Sequence, residues 1–343
     1  MKKVILIIGA NGQDGSYACE LYLEKGFEVH GTIRRSSVIT TERINHIFDK
    51  LFLHYCDVTD TMNVFNIISK TKPNIILNFS AQSHVHISAE IENYTFQTNT
   101  IGVLNILQAV KNLGLESTCR IYQSSTSEQF GNTLESEEIT ILNENSNQSP
   151  VSIYGISKNA AQQICSFYRT AYNMYIVSSW LFNHESERRA HNFVTQKIAQ
   201  YVGKYFKNKD ISPLQIGNLN SKRDWGHAKD YVEAISLIME QDIPEDYVIA
   251  SGETHSVRKF IILAFKRINV DIVFQGDGLE EVGIDKNTGK VIVLVNPKYL
   301  RALELNVLVG DSSKAREKLG WKPTINFETL VNLMVDNACN LIV

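Results

Sequence analysis

The chain has 343 residues, 43% hydrophobic and 21% charged, which is ordinary for a globular protein and long enough for two domains. A formal charge of -3 and a pI near 6.3 give no broad basic surface, which excludes nucleic acid as the main partner. Five cysteines (Cys19, Cys56, Cys119, Cys165 and Cys339) never form a C-x-x-C, so neither a disulfide framework nor a zinc site is expected, and the compartment reads as reducing and cytoplasmic.

The opening MKKVILIIGA has an apolar run of only Val4 to Ile8 before the polar NGQDG, with no cleavage-site pattern, so it reads as a first strand rather than a signal peptide. No segment approaches the length of a membrane span. The strand runs into Gly9-Ala10-Asn11-Gly12-Gln13-Asp14-Gly15 and a helical pattern over 14–25. Glycines three apart let the backbone turn tightly, approach a pyrophosphate and pack the helix on the strand. Gly9, Gly12 and Gly15 therefore predict a dinucleotide site, with the helix N-terminus attracting the phosphates.

A second strand, VHGTI (29–33), leads into Arg34-Arg35-Ser36-Ser37, where an NAD-specific site usually has an acid. Two guanidiniums and two hydroxyls suit a 2′-phosphate, so Arg34 and Arg35 favour NADP over NAD. A third strand, LFLHY (51–55), is followed by Asp57, which either accepts from the adenine amine or caps the next helix, expected at 60–70. After NIILNFS (74–80), His84 and His86 have no third ligand in sight, and no metal is expected.

A helix over 93–113 precedes the strand RIYQSS (120–125), which ends in a run of hydroxyls beside one carboxylate, Glu128. The acidic, Asn/Ser-rich stretch 135–150 reads as a surface loop. On a helix over 154–172, Tyr154 and Lys158 share a face at i and i+4, where the ammonium would lower the phenol's pKa and make it a base at neutral pH. With a sixth strand, IVSSWLF (176–182), the alternation predicts an α/β fold of Rossmann type, a doubly wound parallel sheet.

Beyond 183 the alternation weakens. Glu185, Glu187, Arg188 and Arg189 read as a salt-bridged helix face, a helix follows at 192–207, and Trp180, Trp225 and Trp321 read as core or pocket wall. The expected division is a dinucleotide domain over 1–182, with segments of about 212–250 returning to it, and a smaller α/β domain over 183–343 that mainly binds substrate.

The motifs GANGQDG, NFSAQSHV, SSTSEQFG and YGISK occur in the order found in the extended short-chain dehydrogenase/reductases, which the first half resembles. RRSS, GNLNSKRDWGHAKDYVEA, GETHSVR and NPKYLRALELNVLVGDSSKAREKLGWKP narrow the resemblance to the GDP-mannose 4,6-dehydratase family over nearly the whole chain. That implies a hydro-lyase acting on GDP-D-mannose: hydride moves from C4 to NADP, water leaves across C5 and C6, and hydride returns to C6. The product implied is GDP-4-keto-6-deoxy-D-mannose, a first step toward GDP-6-deoxyhexoses such as GDP-L-fucose or GDP-D-rhamnose. Oxidation at C4 acidifies the C5 proton, a base must remove it, and Glu128 is the carboxylate available.

The resemblance also implies that Thr126 holds the C4 oxygen, Tyr154 takes its proton, Lys158 binds the nicotinamide ribose and Ser127 orients substrate. It places Gly9, Gly12, Gln13, Asp14, Arg34, Arg35, Asp57, Ser80, Ala81 and Ser83 toward the cofactor. Ser83, Asn183, Lys197, Gly217, Arg223, Arg258, Arg301 and Glu304 would face the nucleotide sugar, with arginines suited to a diphosphate. A homodimer or homotetramer is implied. Two departures stand out: Ile153 replaces the proline usual before the tyrosine, and SSVITTER replaces the usual loop toward a neighbouring subunit. A C4 epimerase would need no C5 base, a reductase of the same fold is the nearer rival, and a cofactor-sensing scaffold could dispense with the tyrosine or lysine that this chain retains.

Overall fold

In this computed structural model residues 2–131, 140–300 and 307–341 are described. Six strands, β1 (Val4–Ile8), β2 (Glu28–Ile33), β3 (Phe52–Tyr55), β4 (Ile75–Asn78), β5 (Arg120–Ser124) and β6 (Ile176–Leu181), join a short strand Val248–Ile249 in one sheet. The order is Val248–Ile249, β6, β5, β4, β1, β2, β3, and every pairing is parallel.

The β1 run shows why the sheet is covered on both sides. Side chains alternate across a strand, so Ile5 and Ile7 enter one core with Tyr17, Tyr22, Ile235 and Ile238, from the helices Gln13–Glu24 and Ala228–Glu240. Leu6 and Ile8 enter another with Val64, Ile68, Leu107 and Ala161, from the helices Thr61–Thr71, Gly102–Asn112 and Ile153–Tyr172. Among the described residues, no helix is long and apolar enough to cross a membrane.

A third core is shared by the helices Val194–Lys207, Val257–Arg267 and Phe327–Leu341 and by a four-stranded sheet of Leu214–Ile216, Val291–Val295, Val282–Asp285 and Ile272–Gln275. Within 212–250, then, Leu214–Ile216 pairs with Val291–Val295, whereas Ala228–Glu240 and Val248–Ile249 pack with the large sheet. The carboxylate of Asp224 ties these layers. It is fully buried and accepts from the amides of Ser251, Gly252 and Gly310 and from the Ser251 hydroxyl.

Two expectations are corrected. The stretch 93–113 is not one regular helix: Glu92–Phe96 passes through a π segment, Gln97–Ile101, into Gly102–Asn112. In that segment Asn99 donates to the Gln82 carbonyl and the Ser157 hydroxyl, and Thr100 donates to the Ser157 carbonyl, so side-chain bonding to two site elements accompanies the widened turn. The Glu185–Arg189 stretch is no helix face either. Asn183–Glu185 is a strand parallel to Trp225–His227, and the residues after it form a turn packed on the first helix.

Candidate active site

The ends of β1, β4 and β5 open on one side of the sheet, where open α/β sheets place their ligands. At the end of β1, Gly9 has φ of +87°, which favours glycine, and a Cβ there would lie 3.3 Å from the Ser80 amide. A Cβ on Gly15 would lie 2.2 Å from the Gly9 carbonyl, so only glycine lets the helix Gln13–Glu24 start so close to the strand. Ser80 is itself fixed by Asn78, whose Oδ1 accepts from its amide and hydroxyl.

The hydroxyl-rich end of β5 is buried. Thr126 caps a short helical turn, Ser127–Gln129, by accepting from the Glu128 amide at 3.2 Å. Gln129 donates to the Ser125 hydroxyl and accepts from the Trp180 indole at 3.1 Å, locking the turn from below. Glu128 is only 7% exposed. Against this turn lies the helix Ile153–Tyr172, capped by Ser152, which accepts from the Gly155 amide, so the proline replaced by Ile153 is not needed to start it. A Cβ on Gly155 would lie 2.8 Å from the Glu128 carbonyl, and glycine there brings Tyr154 up to the turn.

One cavity of about 700 Å³ gathers Asp14, Ala81, Ser83, Thr126, Glu128, Tyr154, Lys158, Asn183, Lys197, Gly217 and Arg223. Gly217 is there for packing as well, since its Cβ position lies 2.4 Å from the Tyr299 carbonyl. Arg34 and Arg35 are exposed beyond the end of β2, outside the cavity wall, with Arg34 bonded to the Tyr94 hydroxyl. Asp57 closes its own turn by accepting from Thr59, and Asp60 instead caps the following helix. Arg258 is not brought to the cavity; it forms a fork with Glu281 and also donates to Asn220. Arg301 and Glu304 lie outside the described residues. No group of three His, Cys, Asp or Glu residues among those described is placed to hold a metal.

The phenol of Tyr154 does not behave as the lysine spacing suggests. Burial pushes it up to about 12, and Glu128 adds to the rise, while a hydrogen bond with Thr126 works the other way. Lys158 donates to the Ser124 carbonyl at 2.8 Å, and burial brings its pKa down to about 8. In the free protein burial, not the neighbouring cation, sets the phenol.

The sequence reading missed a polar network behind the glycine turn. His184 Nδ1 donates to the Phe182 carbonyl at 2.8 Å and its Nε2 lies 3.0 Å from Asp14 Oδ2, while Gln13 donates to the His184 carbonyl and accepts from Ser186. Arg189 pairs with the buried Glu185 at 3.0 Å and stacks over Phe193, which in turn meets the His84 ring. The signal was in HESERR: the Glu185–Arg189 pair is local, as a salt-bridged face implies, but the partners of His184, Ser186, Glu187 and Arg188 on the first helix lie about 170 residues away.

A doubly wound sheet with a glycine turn after its first strand, and a hydroxyl, phenol and lysine gathered at the end of β5, defines the class of the extended short-chain dehydrogenase/reductases. A solved structure of UDP-glucose 4-epimerase with UDP-glucose from Thermotoga maritima shares this fold, with a TM-score of 0.83 over 99% of this chain and 100% of that one at 21% identity. Sequence is more particular. The family model for GDP-mannose 4,6 dehydratase matches residues 6–334, and GDP-mannose 4,6 dehydratases of Drosophila melanogaster and Homo sapiens are each 46% identical over 97% of this chain, covering 85% and 91% of their own lengths. The chain belongs to the GDP-mannose 4,6-dehydratase family and is an enzyme of the hydro-lyase class.

The Asp14–His184 pair carries a pH signature. Burial opposes charge on both groups, but each stabilises the other, so the carboxyl is held below its ordinary value of 3.8 and the imidazole above its ordinary 6.5. The pair's contribution is complete between these two values; it is lost below them as Asp14 gains a proton and above them as pH passes the raised value of His184. Denaturant titrations should therefore show the stability gap between the native protein and His184→Gln narrowing as pH rises above 6.5 and through the raised value of His184. A gap constant over that range would mean the pair is not ionic.

Proposed function

We propose that the chain is an NADP-dependent GDP-mannose 4,6-dehydratase, converting GDP-D-mannose to GDP-4-keto-6-deoxy-D-mannose and water. The observation that carries this reading is that the buried Glu128 lines the same cavity as Thr126, Tyr154 and Lys158. Family membership supplies the reaction class, and Glu128 supplies the base that oxidation and reduction at C4 alone would not need.

The glycine turn fits a dinucleotide, because added Cβ atoms at Gly9 and Gly15 would crowd the backbone a pyrophosphate must approach. Gly12, Gln13 and Asp14 would line its phosphates and Ser80, Ala81 and Ser83 its nicotinamide side, with Asp57 toward the adenine. Arg34 and Arg35, exposed at the end of β2, would hold the 2′-phosphate that distinguishes NADP from NAD. When bound, the cofactor accepts the C4 hydride and later returns it to C6.

Tyr154 takes the proton of the C4 hydroxyl, with Thr126 holding the same oxygen and Lys158 the nicotinamide ribose. Glu128 then removes the C5 proton and, now an acid, gives it to the departing C6 hydroxyl, which leaves as water; once hydride returns to C6, C5 takes up a proton from solvent, and the proton that Tyr154 took from the C4 hydroxyl goes back to solvent, so none is consumed overall. Asn183, Lys197, Gly217 and Arg223 form the nucleotide-sugar wall, mostly contributed by residues 183–343. Arg258 would join them only by leaving Glu281. Four of the five free cysteines are buried, in keeping with a cytoplasmic location.

Three measurements test the reading. Glu128→Gln keeps shape but cannot take a proton, so it should accumulate reduced cofactor on mixing with GDP-mannose, with turnover down ~10²–10⁴-fold. Release of the 4-keto-6-deoxy product at the native rate would remove Glu128 from the chemistry. Replacing Arg34 and Arg35 by alanine should weaken NADP far more than NAD, and equal losses would remove them from cofactor choice. Ile156, Phe167 and Tyr172 are exposed along one helix, and Val38 and Ile39 on the loop after β2, which supports a homodimer or homotetramer. Light scattering should return two or four chain masses, and a monomer would refute it.

A further inference from the structure

Glu187 is not among the residues lining the cavity, yet it sits where both halves of the molecule meet. Its Oε1 accepts from the Tyr17 hydroxyl at 2.6 Å, and Tyr17 lies four residues after Gln13 on the first helix. Its Oε2 faces His227 Nε2 at 3.4 Å. Because His227 Nδ1 accepts from the Lys229 amide, the ring hydrogen is on Nε2 and points to the carboxylate. The Glu187 carbonyl accepts from Asn337 on the helix Phe327–Leu341.

We propose that Glu187 is a positioning residue that couples the nucleotide-sugar side of the cavity to the cofactor turn, acting through Tyr17. This rests on the cofactor and substrate reading given above. Both parallel strands before the Glu187 turn touch the cavity: Asn183, His184 and Glu185 line it along the whole of one, and Trp225, two residues after the lining Arg223, starts the other. A diphosphate or sugar that draws on Asn183 and Arg223 therefore acts on both strands whose last residues, the paired Glu185 and His227, adjoin the Glu187 turn.

From that turn the path to the cofactor is short. Ser186 donates to Gln13, Glu187 holds Tyr17, and Arg188 donates to Ser16. All three partners lie in the first turn and a half of the helix whose N-terminus faces the phosphates. A carboxylate is required because both of its oxygens accept; an amide offers one acceptor and would lose Tyr17 or His227. Burial opposes ionisation here, yet the hydrogen bonds from His227 and Tyr17 bring Glu187 down to about 2, so it stays charged at working pH.

Coupling of this kind is reciprocal, so it is read as the change GDP causes in NADPH affinity. Fluorescence titrations of the purified native protein should show GDP tightening NADPH by about 5-fold or more. Glu187→Gln and, as a milder variant, Tyr17→Phe should each abolish that tightening while leaving GDP affinity measured without cofactor near native. The double variant should be no worse than either single one, since both cut the same bond. Native coupling that survives in Tyr17→Phe, or GDP and NADPH weakened alike together with a lower unfolding midpoint, would overturn the proposal in favour of a purely structural tie. A native protein that binds NADPH without any response to GDP would overturn it as well and leave the cofactor reading standing, whereas one that binds no NADPH would sink both.

Discussion

A charged carboxylate at the start of the first helix, Asp14, is the constraint on which the rest is arranged. Its place next to the glycine turn is buried enough to penalise ionisation, and His184 from the other half of the chain, with smaller help from Arg189 and Gln13, offsets that penalty. His184 is in turn held by the Phe182 carbonyl at the end of β6 and stacks on Tyr231 from the helix Ala228–Glu240. The glycine turn is thus oriented by residues about 170 positions downstream, and the two halves cannot be positioned independently of it. A lone buried acid would be costly; a buried acid with a fixed partner sets the register between layers.

The same logic explains the end of β5. Five consecutive polar residues, Ser124 to Glu128, are buried, which would be costly if their groups were left without partners. They are not: Ser124 donates to the Asn78 carbonyl, Ser125 to Gln162, and Thr126 caps the turn that carries Glu128. Polar groups satisfied within the protein keep their positions when water is displaced, which a site that moves a hydride and a proton in turn requires.

How much of this was legible depended on the range of the interaction. The six long strands and the helices after them stood out because burial on both faces writes unbroken runs such as VILII, and the period is local. The glycine turn, Thr126, Glu128, Tyr154 and Lys158 were legible for the same reason: each lies at a strand end or on one helix turn. Val248–Ile249 was not, since a two-residue strand has no period. HESERR kept its local Glu185–Arg189 pair but not its helix, because charges on a helix face and charges packed against a distant helix have the same composition. Arg258 fits a diphosphate by residue type, but its fork is filled by Glu281, and no sequence pattern reveals which of two anions an arginine holds.

The spacing of Tyr154 and Lys158 was read correctly as one helical face and incorrectly as a low phenol pKa, and the difference is instructive. Two groups at i and i+4 are neighbours along the helix, but the ammonium here turns to the Ser124 carbonyl, and burial acts on both. A phenol pushed up to about 12 carries its proton at neutral pH, so in the proposed reaction it cannot wait as a phenolate. Serving as a base would require that value to fall, which positive charge brought beside the phenol would achieve. Burial thus makes the basicity of this phenol depend on what else occupies the cavity, and spacing along the helix alone does not set it.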